Sequence, residues 1–352
     1  MGKLAVILVA GLLAGAAGPA AGAPPSLPPL GRTMTLQRVE PHVVRVLDDG
    51  AGHDLTDIDT FEDRKPVSLL AAGDDGSVWM TSSGGFIEIG VPGEVPDPLD
   101  TFLAQMEIGP DGALWIADDR GGSSIARWFD GAWEIHELPP DASVVWLDAK
   151  EDGSLDFAWR NGTTLDFGTL QPGADDWSAA PPPPLPLVSP DGQVVVERTS
   201  DGRLWVAEGP FWQEEQRFEP GPLWTLDGSE WRRVAPLGDL PVQPRALTVE
   251  ASGALRVTWL EIVPRTSMLG PTHLARLEGD GDWTVVSPVE ADTDERHGGC
   301  RGYYELDGER LTRYLDGFCL RPAAITPTGE VWVFGHDEAR GDPGVYIITP
   351  DR

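Results

Sequence analysis

The sequence predicts an all-β fold built from repeated four-stranded antiparallel sheets. Three observations lead to this prediction: a short motif recurs along the chain, each copy contains a tight-turn signal, and a tryptophan follows the turn in the best copies. Asp-Gly between alternating apolar residues is a strong hairpin signal, because glycine tolerates the positive φ that such turns need. The clearest copy is Gly109–Ala117, GPDGALWIA. The other copies with a tryptophan are Gly73–Thr81, Thr199–Ala207 and Thr326–Phe334.

Weaker copies and a second turn motif complete each repeat. Lys150–Ala158 and Glu250–Thr258 keep the turn but lack the tryptophan at its usual place. A second turn follows many copies, in Trp128–Leu138, Trp224–Val234 and Arg276–Val286. Each repeat thus contains four strands in about 40–50 residues, which is the period of a β-propeller blade. One such sheet cannot bury both faces alone, so the copies must stack, and the tryptophan supplies apolar area between them.

We therefore predict a single β-propeller domain of six four-stranded blades over residues 33–352, with seven blades as the alternative. Residues from about 290 to 320 fit the repeat badly, and we interpret them as an insertion or a degenerate blade, with an extra hairpin around Asp307-Gly308. The first five blades are expected at Val67–Pro98, Phe102–Pro140, Ser143–Pro184, Leu185–Pro241 and Val242–Pro288.

The two ends of the chain are expected to close the ring. After Thr326–Phe334 only one more strand is predicted, Val345–Thr349. Thr33–Val39 alternates apolar and polar residues and is typical of a lone strand. We predict that it pairs beside Val345–Thr349 and completes the last blade, which leaves no open sheet edge there. His42–Asp63 is expected to be an acidic connecting segment.

The N-terminal region predicts export. Residues 1–23 have the features of a signal peptide: Lys3, an apolar stretch and the small-residue cleavage site Ala21-Gly22-Ala23. Residues 24–32 form a Pro-rich lead-in, and no cysteine that could carry a lipid follows the cleavage site. We expect a secreted or periplasmic protein that does not insert into a membrane. In such a protein the pair Cys300 and Cys319 predicts a disulfide.

Composition restricts the partners. The 352 residues include 57 acidic and 26 basic side chains, for a net charge of −31. This charge disfavours nucleic acid and anionic membranes, and it suits cations or a basic partner. Its simplest consequence is solubility outside the cell. No oligomer interface is evident in the sequence, so we expect a monomer.

Blade topology predicts where a site would lie. The Asp-Gly turns join the first strand to the second and the third to the fourth, so they share one face, here called the turn face. The longer, more diverse loops lie on the opposite, loop-rich face, where function is expected. The candidate ligand-binding residues on that face are Asp118, Asp119, Arg120, Phe211, Trp212, Arg265, His336 and Asp337.

Each candidate also has a structural explanation. Phe211 and Trp212 are large apolar residues in a polar loop, which indicates a contact surface, or they fold back over a blade edge together with Phe218. Asp118–Arg120 binds a polar ligand or shapes a Gly-rich turn. His336 beside carboxylates suits a base or a metal ligand, or belongs to a solvated loop.

No cofactor is assigned from the sequence. Three acidic loops raise the question of calcium: Asp48–Asp59, Glu278–Asp282 and Glu290–Glu295. None has the spaced Asp pattern with a closing Glu, so Ca²⁺ and Mg²⁺ stay open without a site. The chain also lacks a phosphate-binding loop, a GxSxG elbow and a cysteine suited to nucleophilic attack, so the catalytic residues are unknown.

The repeated DGxLWxA motif, followed by a strand such as SIARWFDG and then by W-x-I/V, resembles the propeller repeats of two groups. One comprises the sensor propellers of bacterial two-component regulators. The other comprises streptogramin B lyase (virginiamycin B lyase-like) and NHL-type propellers. The resemblance implies the fold; the lyases use a histidine and a bound magnesium ion on one face, and no histidine here is matched to it.

Two functions follow from these observations. The first is a non-catalytic exported propeller that binds a protein, peptide or glycan through its loop-rich face, favoured by the lack of a catalytic set. The alternative is a metal-dependent enzyme, either a lyase resembling streptogramin B lyase or a hydrolase. A third interpretation is a stand-alone relative of the sensor propellers. The sequence shows no signalling domain, which argues against this interpretation.

Overall fold

A computed structural model describes residues 34–51, 55, 70–82, 85–99, 103–118, 124–174, 176–179, 182–188, 194–209, 211–212, 218–219, 221–234, 242–249, 254–262, 269–278, 282–286, 302–307, 310–320, 324–337 and 343–350. In this part of the chain the regular structure is β-strand. None of it forms a helix with the length and apolar character needed to cross a membrane.

The strands group into six sheets and two small hairpins. The chain begins with β1 (Thr35–Glu40) and β2 (Val43–Asp48). Blade one contains β3 (Leu70–Ala72), β4 (Val78–Thr81), β5 (Gly85–Glu88) and β6 (Val95–Pro96). Blade two contains β7 (Leu103–Ile108), β8 (Leu114–Asp118), β9 (Ser124–Phe129) and β10 (Ala132–Glu137). Blade three contains β11 (Ser143–Ala149), β12 (Leu155–Asn161), β13 (Thr164–Leu170), β14 (Ser178–Ala179) and β15 (Leu185–Pro186).

Blade four contains β16 (Val194–Arg198), β17 (Leu204–Glu208), the hairpin β18 (Phe211–Trp212) and β19 (Phe218–Glu219), then β20 (Leu223–Asp227) and β21 (Glu230–Val234). Blade five contains β22 (Val242–Val249), β23 (Leu255–Ile262), β24 (Leu269–Glu278) and β25 (Asp282–Val286). An inserted segment follows, with β26 (Tyr303–Asp307), β27 (Arg310–Tyr314) and β28 (Phe318–Leu320). Blade six contains β29 (Ala324–Ile325), β30 (Val331–Asp337) and β31 (Pro343–Ile348).

The arrangement confirms a six-bladed propeller. The first strands of the blades line the axis side by side, with β3 against β7, β7 against β11, β11 against β16, β16 against β22, and β29 against β3. The segment between blades five and six is an insertion and not a seventh blade, because among the described residues β26 pairs only with β27, in a two-stranded sheet of its own. Its register, Asp307 opposite Arg310, confirms the hairpin predicted around Asp307-Gly308.

The N-terminus closes the ring, although not with the predicted strand. The partner of β31 is β2, with Val43 opposite Ile348 and Val46 opposite Val345. The predicted segment Thr33–Val39 instead falls largely in β1, one strand further out, paired with β2. The expectation that His42–Asp63 only connects was therefore wrong at its start. Its three valines, Val43, Val44 and Val46, are all buried, and the acidic run begins only after them.

The turns between the first and second strands are nearly identical in blades one to four and in blade six. The turn glycines, namely Gly76, Gly112, Gly153, Gly202 and Gly329, all have φ between 79° and 83°. In blade two the Gly112 amide donates to the Gly109 carbonyl over 2.8 Å, and the Asp111 carboxylate accepts from the Ala113 amide over 3.1 Å. The aspartate thus caps the turn, and glycine supplies the left-handed backbone that other residues reach only with strain.

Tryptophans on the second strands fill most of the spaces between blades. Trp79, Trp115, Trp205 and Trp332 are all buried, as the repeat predicted. In the two weaker copies a tryptophan stands three residues later on the same strand, as Trp159 and Trp259, and it packs against the preceding blade. The space between blades two and three therefore holds both Trp115 and Trp159, and the space between blades four and five holds both Trp205 and Trp259.

The other two seams use charged residues in place of that tryptophan. At the repeat's tryptophan position blade three has Asp156 and blade five has Arg256. Between blades three and four, the Arg198 guanidinium approaches Asp148 at 2.7 Å and Asp156 at 3.0 Å. Arg256, facing the inserted segment, donates to the Tyr303 hydroxyl over 3.2 Å. The loss of the tryptophan in the weaker copies is thus compensated by ion pairs in one seam and by the insertion in the other.

Candidate functional site

The two faces of the ring differ as the topology predicted. The turn face is formed by the short, repeated turns described above. The loop-rich face carries the ends of the second strands and the connections that follow them. In blade four this connection contains the β18–β19 hairpin, in which Phe211 lies opposite Glu219 and Trp212 opposite Phe218. The sequence suggests a loop for this segment, whereas its described residues pair as the two short strands β18 and β19.

A buried glutamate anchors the base of this hairpin. Glu208, the last residue of β17, has no exposed surface. One carboxyl oxygen accepts from the Trp224 indole over 2.8 Å, and the other accepts from the Val188 amide over 2.8 Å. These bonds tie the hairpin base to the third strand of its own blade and to the connection that precedes blade four. Buried hydrogen bonds of this kind are costly to break because each partner would be left unsatisfied.

The two arms of the hairpin base are also pressed together. The Glu208 amide donates to the Pro222 carbonyl over 3.0 Å. Gly221 packs directly on the Glu208 carbonyl, so that any side chain at position 221 would collide with it. The hairpin therefore leaves the blade from a fixed base, which is the condition for a preorganised contact surface.

The predicted site residues that the structure describes lie at the loop-rich face, but they do not form a single cluster. Asp118 is the buried last residue of β8, and His336 is a half-buried residue of β30, next to Asp337 at the strand end. These strands and β17 are the second strands of blades two, four and six, so the candidate positions lie on alternate blades. Asp119, Arg120, Arg265 and Cys300 lie outside the described residues.

A second group of ionisable residues lies along the axis. Glu107, Asp148 and Glu197 each stand five residues before the turn glycine of blades two, three and four, on the innermost strands. Their equivalent register brings three carboxyl groups to the same level of the ring. Within the described part of the chain, neither Glu107 nor Glu197 has a hydrogen-bond or ion-pair partner.

Burial and mutual repulsion hold protons on two of these groups. Burial, followed by the charges of Asp148, Glu197 and Asp74, raises the pKa of Glu107 from 4.5 to about 8. Burial and the charge of Asp148 raise the pKa of Glu197 from 4.5 to about 8. Both glutamates are therefore predominantly protonated at neutral pH.

Two basic side chains balance the negative charge of the Asp148 carboxylate. Its carboxylate contacts Arg198 at 2.7 Å and also pairs with Lys150. Lys150 in turn approaches Asp156 at 3.2 Å, and the Thr169 hydroxyl donates to Asp156 over 2.7 Å. Two carboxylates and two bases therefore form a neutral network in the seam between blades three and four. Both bases of this network are engaged by Asp148 and Asp156. Among the described residues, Glu107 and Glu197 therefore have no basic partner.

The described residues provide no metal centre. They contain no group of three or more His, Cys, Asp or Glu side chains arranged to hold an ion. Asp49, in the first acidic loop suggested for calcium, is fully buried and accepts from the Gly90 amide over 2.8 Å and from the Ala51 amide over 2.9 Å. Its carboxylate thus links the end of β2 to blade one.

These sheets, inner strands and faces define a six-bladed β-propeller. No protein-family model and no curated protein matches the chain. Solved structures do match it. One is virginiamycin B lyase from Staphylococcus aureus, with a TM-score of 0.56 and 16% identity over 90% of this chain and 100% of that one.

Two further solved structures match the chain. The extracellular domain of a protein assigned as a hybrid two-component system from B. thetaiotaomicron has a TM-score of 0.50 and 13% identity, over 85% of this chain and 40% of that one. YCF48 from Cyanidioschyzon merolae has a TM-score of 0.47 and 12% identity, over 82% of this chain and 97% of that one. These likenesses concern architecture, since the identities are low.

Sequence reasoning missed three features of the candidate site: the anchoring role of Glu208, the protonated glutamates on the axis, and the ion-pair network around Asp148. The signal for the axial carboxyls was present, because all three occupy the same offset from the turn glycine. Aligning the repeats at that offset would have placed them on one level of the ring. Nothing in the sequence indicated that Glu208 would turn inward.

Proposed function

We propose that this protein is an exported, non-catalytic propeller that binds a protein, peptide or glycan through its loop-rich face. The observation that carries the proposal is the preformed β18–β19 hairpin of blade four. A ring of packed sheets supplies a rigid scaffold, and the hairpin stands on it with its base fixed by Glu208. Rigid presentation lowers the entropy cost of binding, which favours a recognition role.

The contrast between the two faces supports the same proposal. The turn face repeats one short turn in blades one to four and in blade six, whereas the loop-rich face differs from blade to blade. Binding residues concentrate on variable loops that a rigid scaffold positions. Phe211 and Trp212 belong to the residue types that contribute most to binding energy at interfaces.

The test replaces Phe211 and Trp212 together by serine. The probes are a glycan array and a displayed library of random peptides, both screened with the purified protein. We expect the unchanged protein to select a defined set of probes, and the double variant to bind them at least about tenfold more weakly, as for interface anchors. Circular dichroism and thermal unfolding verify that the variant keeps the fold.

Phe129→Ser is the matched control. Phe129 is 44% exposed and precedes the Asp130-Gly131 turn on the turn face. This variant makes the same apolar-to-polar change away from the hairpin, so it should bind as the unchanged protein does. Equal weakening by both variants would contradict a site at the hairpin, and failure of the unchanged protein to select any probe would contradict the binding role.

Export and the Cys300–Cys319 disulfide are proposed together. The Gly302 amide donates to the Phe318 carbonyl over 3.0 Å, so the segment following Cys300 runs beside the residue preceding Cys319. The intact mass of protein secreted with its natural leader should match a chain lacking residues 1–23. Reduction should then add the mass of two hydrogen atoms. Retention of the leader would contradict export, and two thiols that react before reduction would contradict the disulfide.

A further inference from the structure

The inserted segment Gly302–Leu320 fills the seam between blades five and six. On the side of blade five, the Arg256 guanidinium lies 4.9 Å from the centre of the Tyr303 ring and donates to its hydroxyl over 3.2 Å. On the side of blade six, Tyr303 is buried in one apolar cluster with Val331 and Val333 of β30. The segment therefore joins two blades across a seam in which blade five has an arginine at the repeat's tryptophan position.

The same segment contacts the N-terminal hairpin that closes the ring. The Leu315 amide donates to the Glu40 carboxyl group over 3.2 Å, at the end of β1. The Tyr314 ring meets His42 edge-on, with ring centres 6.4 Å apart, at the turn between β1 and β2. Ring closure by β2 and filling of the seam are thus physically connected.

The segment also extends blade six towards the loop-rich face. Its last strand, β28, pairs with the end of β30, with Phe318 opposite Asp337, Cys319 opposite His336 and Leu320 opposite Gly335. Over the residues that the structure describes here, the inner strand β29 pairs only with the beginning of β30, at Val331 and Trp332. The loop-rich end of β30 therefore depends on the insertion for its inner partner.

Two residues of the segment adopt left-handed backbone conformations, and one of them, Leu315, is strained there. Leu315 has φ of 53° although it is a fully buried leucine. Gly302 has φ of 69°, and a side chain there would collide with the carbonyl oxygens of Tyr314 and Leu315. A bulky residue in the left-handed region is an outlier that persists only when surrounding contacts enforce it.

We propose that Gly302–Leu320 is a clasp that detaches as one unit, opening the seam between blades five and six and releasing the loop-rich end of β30. Its contacts are not repeated in any other described seam, and its strained turn favours release once those contacts break. Local opening in contiguous cooperative units is a common property of folded proteins, and the least stable units open first. Opening of the clasp would change the loop-rich face at His336 without unfolding the other blades.

Hydrogen exchange of the full chain tests this proposal. In the unchanged protein, amides of β26, β27, β28 and residues 335–337 should exchange with one common opening free energy, lower than that of β8 and β12. Tyr303→Phe removes the hydroxyl that accepts from Arg256 and keeps the ring. It should speed exchange of that group by about tenfold or more, the effect expected for a hydrogen bond to a charged side chain. Exchange in β8 and β12 should stay unchanged.

Trp231→Phe is the control, because it removes the indole that donates to the Pro183 carbonyl over 2.8 Å, far along the chain from the clasp. It should leave exchange in the clasp as it is. Independent exchange of the three clasp strands, or equal acceleration in all blades after Tyr303→Phe, would overturn the proposal. Tyr303→Phe preserves the packed ring, so folding of the variant is expected to be retained.

Discussion

Replacing Glu107 and Glu197 together by glutamine is expected to stabilise the propeller at pH 9 by several kcal/mol relative to the unchanged protein. Both carboxyl groups lie on inner strands and have a pKa raised to about 8, chiefly by burial. At pH 9 each carboxyl group either ionises in a buried position or stays protonated although the solution favours the ionised form. Both states cost free energy. Glutamine resembles the protonated acid in size and carries no ionisable proton.

The sign of the pH dependence follows from the proton count. Between pH 4.5 and about 8 the folded chain holds protons on these two groups that the unfolded chain has released. Stability of the unchanged protein therefore falls as the pH rises through this window, and it levels off above it. The double variant should show a much flatter profile, and the two proteins should agree most closely at pH 4.

Urea unfolding from pH 4 to 9 measures this difference. Glu230→Gln, at an exposed position at the start of β21, is the control and should leave the profile unchanged. Parallel profiles of the double variant and the unchanged protein would show that these two glutamates do not hold raised pKa values. The neighbouring charges at Asp74 and Asp148 remain in place in all variants.

Trp115→Ala is expected to lower the free energy of unfolding by about 3–5 kcal/mol, the usual cost of emptying a large buried aromatic site. Trp115 is 1% exposed and fills the seam between blades two and three together with Trp159 and Phe157. The Arg127 guanidinium also lies 5.4 Å from the centre of its ring. Removal of the indole would thus leave a cavity between two sheets that cannot close without moving a whole blade.

Chemical denaturation measures this loss, with Trp133→Ala as the matched control. Trp133 lies on the outermost strand of the same blade, where its indole is only half buried. The control should cost clearly less than Trp115→Ala, since part of its surface is already in water. A similar loss of stability in both variants would contradict the inference that the tryptophan on the second strand fills the space between blades.

The repeat architecture could be predicted because each copy encodes its own local structure. Asp111 and Gly112 determine a turn through backbone requirements that do not depend on the rest of the chain. The tryptophan on a blade is buried only when another blade packs against it, and a closed ring gives every blade such a neighbour. The fold therefore follows from short-range rules repeated along the sequence, whereas the choice of six over seven blades depends on the pairing of β26 with β27.

The errors and omissions arose where distant segments meet. Val43–Asp48 was assigned to a connection because acidic residues follow it, whereas its valines were needed to cover β31 at the other end of the chain. The raised pKa of Glu107 depends first on burial and then on the charges of Asp148 and Glu197 in other blades, which no local pattern reveals. Likewise, Glu208 acquires its anchoring role only when Val188 and Trp224 are brought together.

The pairing of β2 with β31 has a consequence for the order of assembly during synthesis. Val43 is among the first residues of the described chain to leave the ribosome, and its partner Ile348 is among the last. Blades one to five can form as they emerge, but the sixth sheet must wait until β31 has left the ribosome. The slow step in closing the ring should therefore be the meeting of these two strands, and truncation before Pro343 should leave the early valines exposed and prone to aggregate.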